Sequence, residues 1–131
     1  MEAETVLFVA DQPRAAAFYA AVLAAPPRLD VPGMTEFDLA PGAVLGLMPT
    51  LGIRRLLPGL AAAAGAPGDP AGLGHGPSGE LYLLAADPEA LLARALAAGA
   101  RLVDPMAPRS WGHRAGYVLD PDGHLLVFAG R

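Results

Sequence analysis

Apolar and polar positions along this chain fall into short blocks, and the blocks come twice. "ETVLFVA" (Glu4–Ala10) is an apolar run of strand length with β-branched residues. Asp11 follows as a helix cap. Pro13 sits in the first helical turn, where its missing N–H costs nothing. "RAAAFYAAVLAA" is rich in helix formers, and Pro26-Pro27 stop it. A short strand is expected around Arg28–Val31. "MTEFDLA" and "AVLGLMP" then read as two strands joined at Pro41-Gly42.

The second half repeats this order. "ELYLLAA" (Glu80–Ala86) is a strand, and Asp87-Pro88 is a capping carboxylate followed by Pro at the first helical position. "EALLARALAA" is an amphipathic helix with Leu91, Leu92 and Leu96 near one face, and Gly99 is its C′ residue. "ARLV" is a short strand. "HRAGYVL" and "GHLLVFA" are two more, joined by the turn "DPDG".

The two hairpins can be laid on each other. In "EFDLAPGAVLGLMP" and "GYVLDPDGHLLVFAG", Leu39 falls on Leu119, Pro41 on Pro121, Gly42 on Gly123 and Leu45 on Leu126. The offset is 76 from Glu4 to Glu80, 80 from Pro41 to Pro121 and 81 from Gly42 to Gly123, so small insertions account for the drift. A unit of this length written twice means two modules that pair. The expected fold is α+β: one domain of two βαβββ modules (1–56 and 80–131) forming a cupped mixed sheet. A Gly/Pro-rich connector, 57–79, lies between them, with one helical turn at "IRRLL". Each sheet has one face covered by its helix and one bare, and the bare faces are expected to curl toward a shared cavity.

Composition narrows the chemistry. There is no cysteine and no lysine, which removes disulfides, thiolate metal sites, Schiff-base chemistry and Walker-type phosphate binding. Ser78 and Ser110 are the only serines, and neither lies in a G-x-S-x-G context. A net charge of −4, with only Arg54-Arg55 clustered, gives no basic face for nucleic acid. No apolar stretch is long enough to cross a bilayer, and "MEAETVLF" lacks the basic region of a secretory signal, so a cytoplasmic protein without membrane partners is expected.

"VADQPRAAAFYAAVLAA", "ELYLLAADPEALLARALAAGARLVDP" and especially "WGHRAGYVLDPDGHLLVF" resemble the vicinal oxygen chelate superfamily, which includes glyoxalase I, bleomycin-resistance proteins and extradiol dioxygenases. The resemblance covers nearly the whole chain except the connector. It implies paired βαβββ modules and a homodimer, and it leaves the substrate open, because this fold hosts lyases, transferases, dioxygenases and simple binders.

In metal-dependent members of such a family, four strand positions supply His and Glu ligands. Carried over, they fall on Glu4, Gly46, Glu80 and Val127. Gly46 and Val127 have no donor side chain, so no resident metal is expected; a weakly held Mg²⁺ or Mn²⁺ on the two glutamates is the alternative. The histidines do not replace the lost ligands. His75 is in the connector, His124 points opposite Val127 by strand parity, and none of the three shares i, i+4 or H-x-H spacing.

Strand alternation puts Glu4 with Phe8, Val44 and Met48, and Glu80 with Tyr82, Leu125 and Val127. That describes an apolar wall with aromatic rings and two carboxylates, suited to a small, partly apolar, cationic organic molecule. The candidate ligand-binding residues are Phe8, Met48, Tyr82, Trp111, Arg114 and Tyr117. Arg114 is expected to pair with Glu80, Glu4 or an anionic ligand. Asp120 to Gly123 are expected to form a hairpin turn without chemistry. The leading function is metal-free small-molecule binding, similar to bleomycin-resistance proteins. The alternatives are a lyase or isomerase of the glyoxalase kind, with Glu4 or Glu80 as catalytic base, and a structural partner with a vestigial cavity.

Overall fold

The computed structural model describes residues 1–57 and 79–131. The connector, with His75 and Ser78, thus falls almost wholly outside the described residues. Module one runs β1 (Ala3–Val9), α1 (Gln12–Leu23), β2 (Leu29–Val31), β3 (Met34–Ala40) and β4 (Ala43–Pro49), and α2 (Thr50–Leu56) follows. Module two runs β5 (Glu80–Leu84), α3 (Pro88–Ala97), β6 (Arg101–Pro108), β7 (Arg114–Leu119) and β8 (Leu125–Gly130). The strands form two four-stranded mixed sheets of identical topology, ordered β1-β4-β3-β2 and β5-β8-β7-β6. The first and last strands of each module pair in parallel, and the other pairs are antiparallel.

Local chemistry explains the elements. Asp11 Oδ1 accepts the Arg14 N–H and Asp87 Oδ1 accepts the Ala90 N–H, so both helices start at the expected caps. α1 ends before Pro26-Pro27. Ala24 takes a left-handed conformation, φ 53°, and its N–H returns to the Ala20 carbonyl, which closes the last turn without glycine. In α3, Leu91 and Leu92 pack against the core as expected, together with Ala95, whereas Leu96 is 39% exposed. β6 runs on through Pro105 to Pro108 where the sequence predicted only "ARLV". Prolines are tolerated there because β6 is an edge strand, and its pairing with β7 is interrupted by two register shifts. The turn at "IRRLL" is part of α2, which begins three residues earlier.

The helix-facing sides of the two sheets share one core. Leu7, Val9, Phe37, Leu45 and Leu47 pack with Phe18, Tyr19 and Val22 of α1; Leu81, Val118, Leu126 and Phe128 pack with Leu91, Leu92 and Ala95 of α3, in the same cluster. Each large side chain fully buried there contributes about 1.5–3 kcal/mol. Arg94 adds a cross-module tie, its Nε donating to the Val22 carbonyl at 2.8 Å.

The "DPDG" turn makes the other ties. Tyr19 Oη donates to Asp120 Oδ2 at 2.5 Å, Asp122 Oδ1 accepts the Ala10 N–H at 2.9 Å, and His124 Nε2 donates to the Phe8 carbonyl at 2.8 Å. Asp120 Oδ1 meanwhile accepts the N–H groups of Asp122 and His124, which shapes the turn itself. Asp122 is the residue by which this turn exceeds its module-one counterpart, Pro41-Gly42, and it too reaches across, to Ala10.

Candidate functional site

The sheet faces turned away from the shared core carry the candidate residues. The pairing registers place the two modules in correspondence: Glu4 opposite Val44 and Val6 opposite Gly46 in the first, Glu80 opposite Leu125 and Tyr82 opposite Val127 in the second. Gly46 and Val127 are therefore equivalent in space as they are in sequence. A Cβ at Gly46 would run into the Glu4 carboxylate and lie 3.2 Å from Val6 Cγ2, so the missing side chain is what lets Glu4 lie across the strand. Val127 is fully buried between Tyr82 and Tyr117 on the neighbouring strands.

The first open face is apolar at its centre and acidic at its margin. Val44 is buried, Met48 is half-buried and Phe8 is 42% exposed. Arg28 binds Glu36 at 2.7 Å, Glu2 at 3.1 Å and Asp38 at 3.2 Å, so one cation serves three carboxylates. Its hydrogen bonds hold the Glu2 carboxyl below the usual range, and those with Glu2 and Glu36 push the Arg28 guanidinium up. Glu4 and Glu80 are both exposed, and neither takes part in a hydrogen bond or ion pair among the described residues.

The second open face is aromatic. Val127, Ala115 and Ala129 cluster with Tyr82 and Tyr117, apart from the shared core. Trp111 Nε1 donates to Tyr82 Oη at 3.1 Å. An indole N–H can only donate, so the phenol keeps its own proton for His113 Nδ1, 2.9 Å away. The Arg109 guanidinium carbon lies 4.9 Å from the centre of the Tyr117 ring. Burial, then the Glu80 charge, pushes the Tyr117 hydroxyl up, and Arg109 works against both.

Of the sequence-predicted residues, Phe8 and Met48 stand on the first open face, and Tyr82, Tyr117 and Trp111 come together on the second. Arg114 does not join them. Strand parity turns it to the helix side, where its Nη2 meets Glu89 Oε1 at 3.2 Å, both side chains about half exposed. Arg109 and His113 are the residues sequence reasoning missed as parts of this wall. Only a tertiary fold-back brings them there, and the chain spacing gives no sign of it.

Among the described residues no group of three or more His, Asp or Glu is arranged to hold a metal ion. The larger concavities lie off the open faces. A cleft of about 460 Å³ between the modules is lined mainly by apolar residues, Leu23, Leu39, Leu81, Leu83 and Leu91 among them, with Thr5 and Tyr82. A groove of about 440 Å³ at the start of α3 holds Glu89, Arg114 and Arg131. No described helix is long and apolar enough to cross a membrane.

A family model described as the Glyoxalase/Bleomycin resistance protein/Dioxygenase superfamily matches residues 3–128. A glyoxalase-related enzyme from Fulvimarina pelagi is similar in structure at 25% identity, TM-score 0.76, over 100% of this chain and 88% of that one. A glyoxalase/bleomycin resistance protein/dioxygenase family enzyme from Burkholderia phytofirmans PsJN is 20% identical, TM-score 0.76, over 97% and 95%. A glyoxalase/bleomycin resistance protein from Albidiferax ferrireducens T118 is 20% identical, TM-score 0.70, over 98% and 96%. No curated protein matches this sequence.

Proposed function

This chain belongs to the Glyoxalase/Bleomycin resistance protein/Dioxygenase superfamily, and from that membership we propose that it is a metal-free small-molecule-binding protein. The observation that carries the reading is the pair Gly46 and Val127. At the two equivalent strand positions where a metal-dependent relative would place a ligand, this chain has no side-chain donor, while the surrounding walls are Phe8, Val44 and Met48 in one module and Tyr82, Tyr117 and Trp111 in the other. Aromatic rings with carboxylates nearby favour a planar, partly apolar organic cation.

Two copies of the chain pair in this reading. Each open face is shallow alone, and ligand sites need walls on several sides. Apposing the faces of two subunits supplies the second wall and covers Phe8 and Trp111. Glu4 and Glu80, exposed in the single chain, then stand beside the bound cation as counter-charges.

The test is metal analysis of the purified protein, a thermal-shift series and a size measurement in solution. The expected result is a dimer with no bound metal, indifferent to zinc, nickel and manganese, and stabilised by proflavine as a planar cationic probe. A ligand at about 100 times its Kd adds about 2.7 kcal/mol, which is several degrees in Tm for a domain of this size. A molar equivalent of tightly held metal would overturn the reading and return Glu4 and Glu80 to the role of ligands in a lyase or isomerase.

A further inference from the structure

The two modules match strand for strand but differ at the link between their second and third strands. In module one, β2 has three residues and joins β3 through Pro32-Gly33 alone. In module two, the equivalent β6 has eight residues and joins β7 through Arg109–His113. The added length folds back over the open face and carries Trp111 and His113 onto the Tyr82 hydroxyl.

Arg109 is what holds it there. Its Nε and Nη2 donate to the Ala115 carbonyl at 3.1 and 2.7 Å, Nη2 also to the Pro105 carbonyl at 3.0 Å, and Nη1 to Asp104 Oδ2 at 2.8 Å. Its backbone closes the loop from inside: Arg109 N–H donates to the His113 carbonyl at 2.7 Å, and Gly112 N–H to the Arg109 carbonyl at 3.1 Å. Gly112 has φ +96°, which a side chain would strain. The side chain is only 17% exposed, so these bonds form in a partly dry setting, and the planar fork matches two carbonyls and a carboxylate at once. The same plane covers Tyr117.

We propose that Arg109 is the positioning residue of the second open face: it fixes the Arg109–His113 loop so that Trp111 and His113 are both held on Tyr82, and so sets the ligand shape this face accepts. The inference rests on the ligand-binding reading above, but its first test does not need a ligand. Trp111 is the only tryptophan, so intrinsic fluorescence reports this loop alone.

Arg109→Met is expected to leave the far-ultraviolet circular dichroism unchanged and to raise acrylamide quenching of Trp111 at least about twofold, because Trp111 is 54% exposed when docked in a single chain, less once a second subunit covers it, and wholly exposed once released. Arg109→Lys keeps a charge beside Asp104 without the fork and should give an intermediate value. If Arg109→Met does not fold, Arg109→Lys and Tyr82→Phe carry the test, the latter removing the acceptor of the indole N–H. Quenching at the wild-type value in folded Arg109→Met, or in Arg109→Lys and Tyr82→Phe together, overturns the proposal. Proflavine titration forms the second arm: Arg109→Met should weaken binding about tenfold, or about 1.4 kcal/mol, and wild-type affinity in a folded variant with a loosened Trp111 would deny the loop its part in recognition. A wild type that ignores proflavine defeats the ligand class proposed earlier, while quenching still decides the role of Arg109.

Discussion

The Tyr19 hydroxyl of α1 donates to the Asp120 carboxylate at 2.5 Å, and this bond joins the helix of one module to the last turn of the other. Both residues are buried, at 2% and 5% exposure. Asp120 has its remaining oxygen occupied by two backbone N–H groups, so the carboxylate is fully partnered where water is scarce.

Tyr19→Phe should therefore cost about 1.5–3 kcal/mol, the range for a hydrogen bond to a charged group. Asp120→Ala should cost more, because it also strands two N–H groups and the phenol. Urea denaturation of the three proteins checks the order. Equal stability of wild type and Tyr19→Phe would show that the bond is not a tie between modules.

The same pair predicts an alkaline limit. Burial, and then the Asp120 charge, pushes the Tyr19 phenol far above its ordinary value of 10.0. Folded protein thus holds a proton that unfolded chain releases. The stabilisation is fully present below a pH of about 10 and falls as pH rises beyond it, since the unfolded state then binds fewer protons. Thermal melts from pH 8 to 11 should show a steeper alkaline decline in wild type than in Tyr19→Phe; parallel curves would refute it.

Two glycines on strands should answer differently to alanine. At Gly46 the added Cβ meets the tip of Glu4, an exposed and flexible side chain that can swing aside, so Gly46→Ala should be tolerated within about 1 kcal/mol. At Gly116 it meets Leu92 Cδ2 at 3.1 Å and the Met106 backbone N at 3.3 Å, and a backbone cannot step away. Gly116→Ala should cost about 1–3 kcal/mol by overpacking. Denaturation midpoints of the two variants decide it.

Arg114 offers a contrast to Arg109. Its pairing with Glu89 is between side chains 55% and 54% exposed, and such pairs are worth about 0–1 kcal/mol. Arg114→Ala should change neither the melting temperature by more than a degree or two nor the Trp111 signal. A large loss would mean that this surface matters in a way its geometry does not suggest.

Much of this was legible in the sequence because alternation is a local property. The parity of "AVLGLMP" and "GHLLVFA" put Gly46 and Val127 on the faces where the registers place them, and Asp11 and Asp87 announced two helices. What escaped depends on contacts between distant parts. Pro105 and Pro108 read as breakers because a sequence does not say which strand is an edge. Trp111 and Arg114 sit in one short motif yet part company, since β7 begins between them and its pleat sends Arg114 the other way. The tie between Tyr19 and Asp120 spans 101 positions, and neither residue's neighbours hint at it.

Asp122 has a wider meaning. Two equal halves joined end to end have no intrinsic top or bottom, and each could serve as the other. One additional residue in one turn removes that equivalence, because only the second half can grip the first at Ala10. The pair acquires a direction. On the same framework of paired sheets, one half presents an apolar face with an acidic margin and the other an aromatic wall.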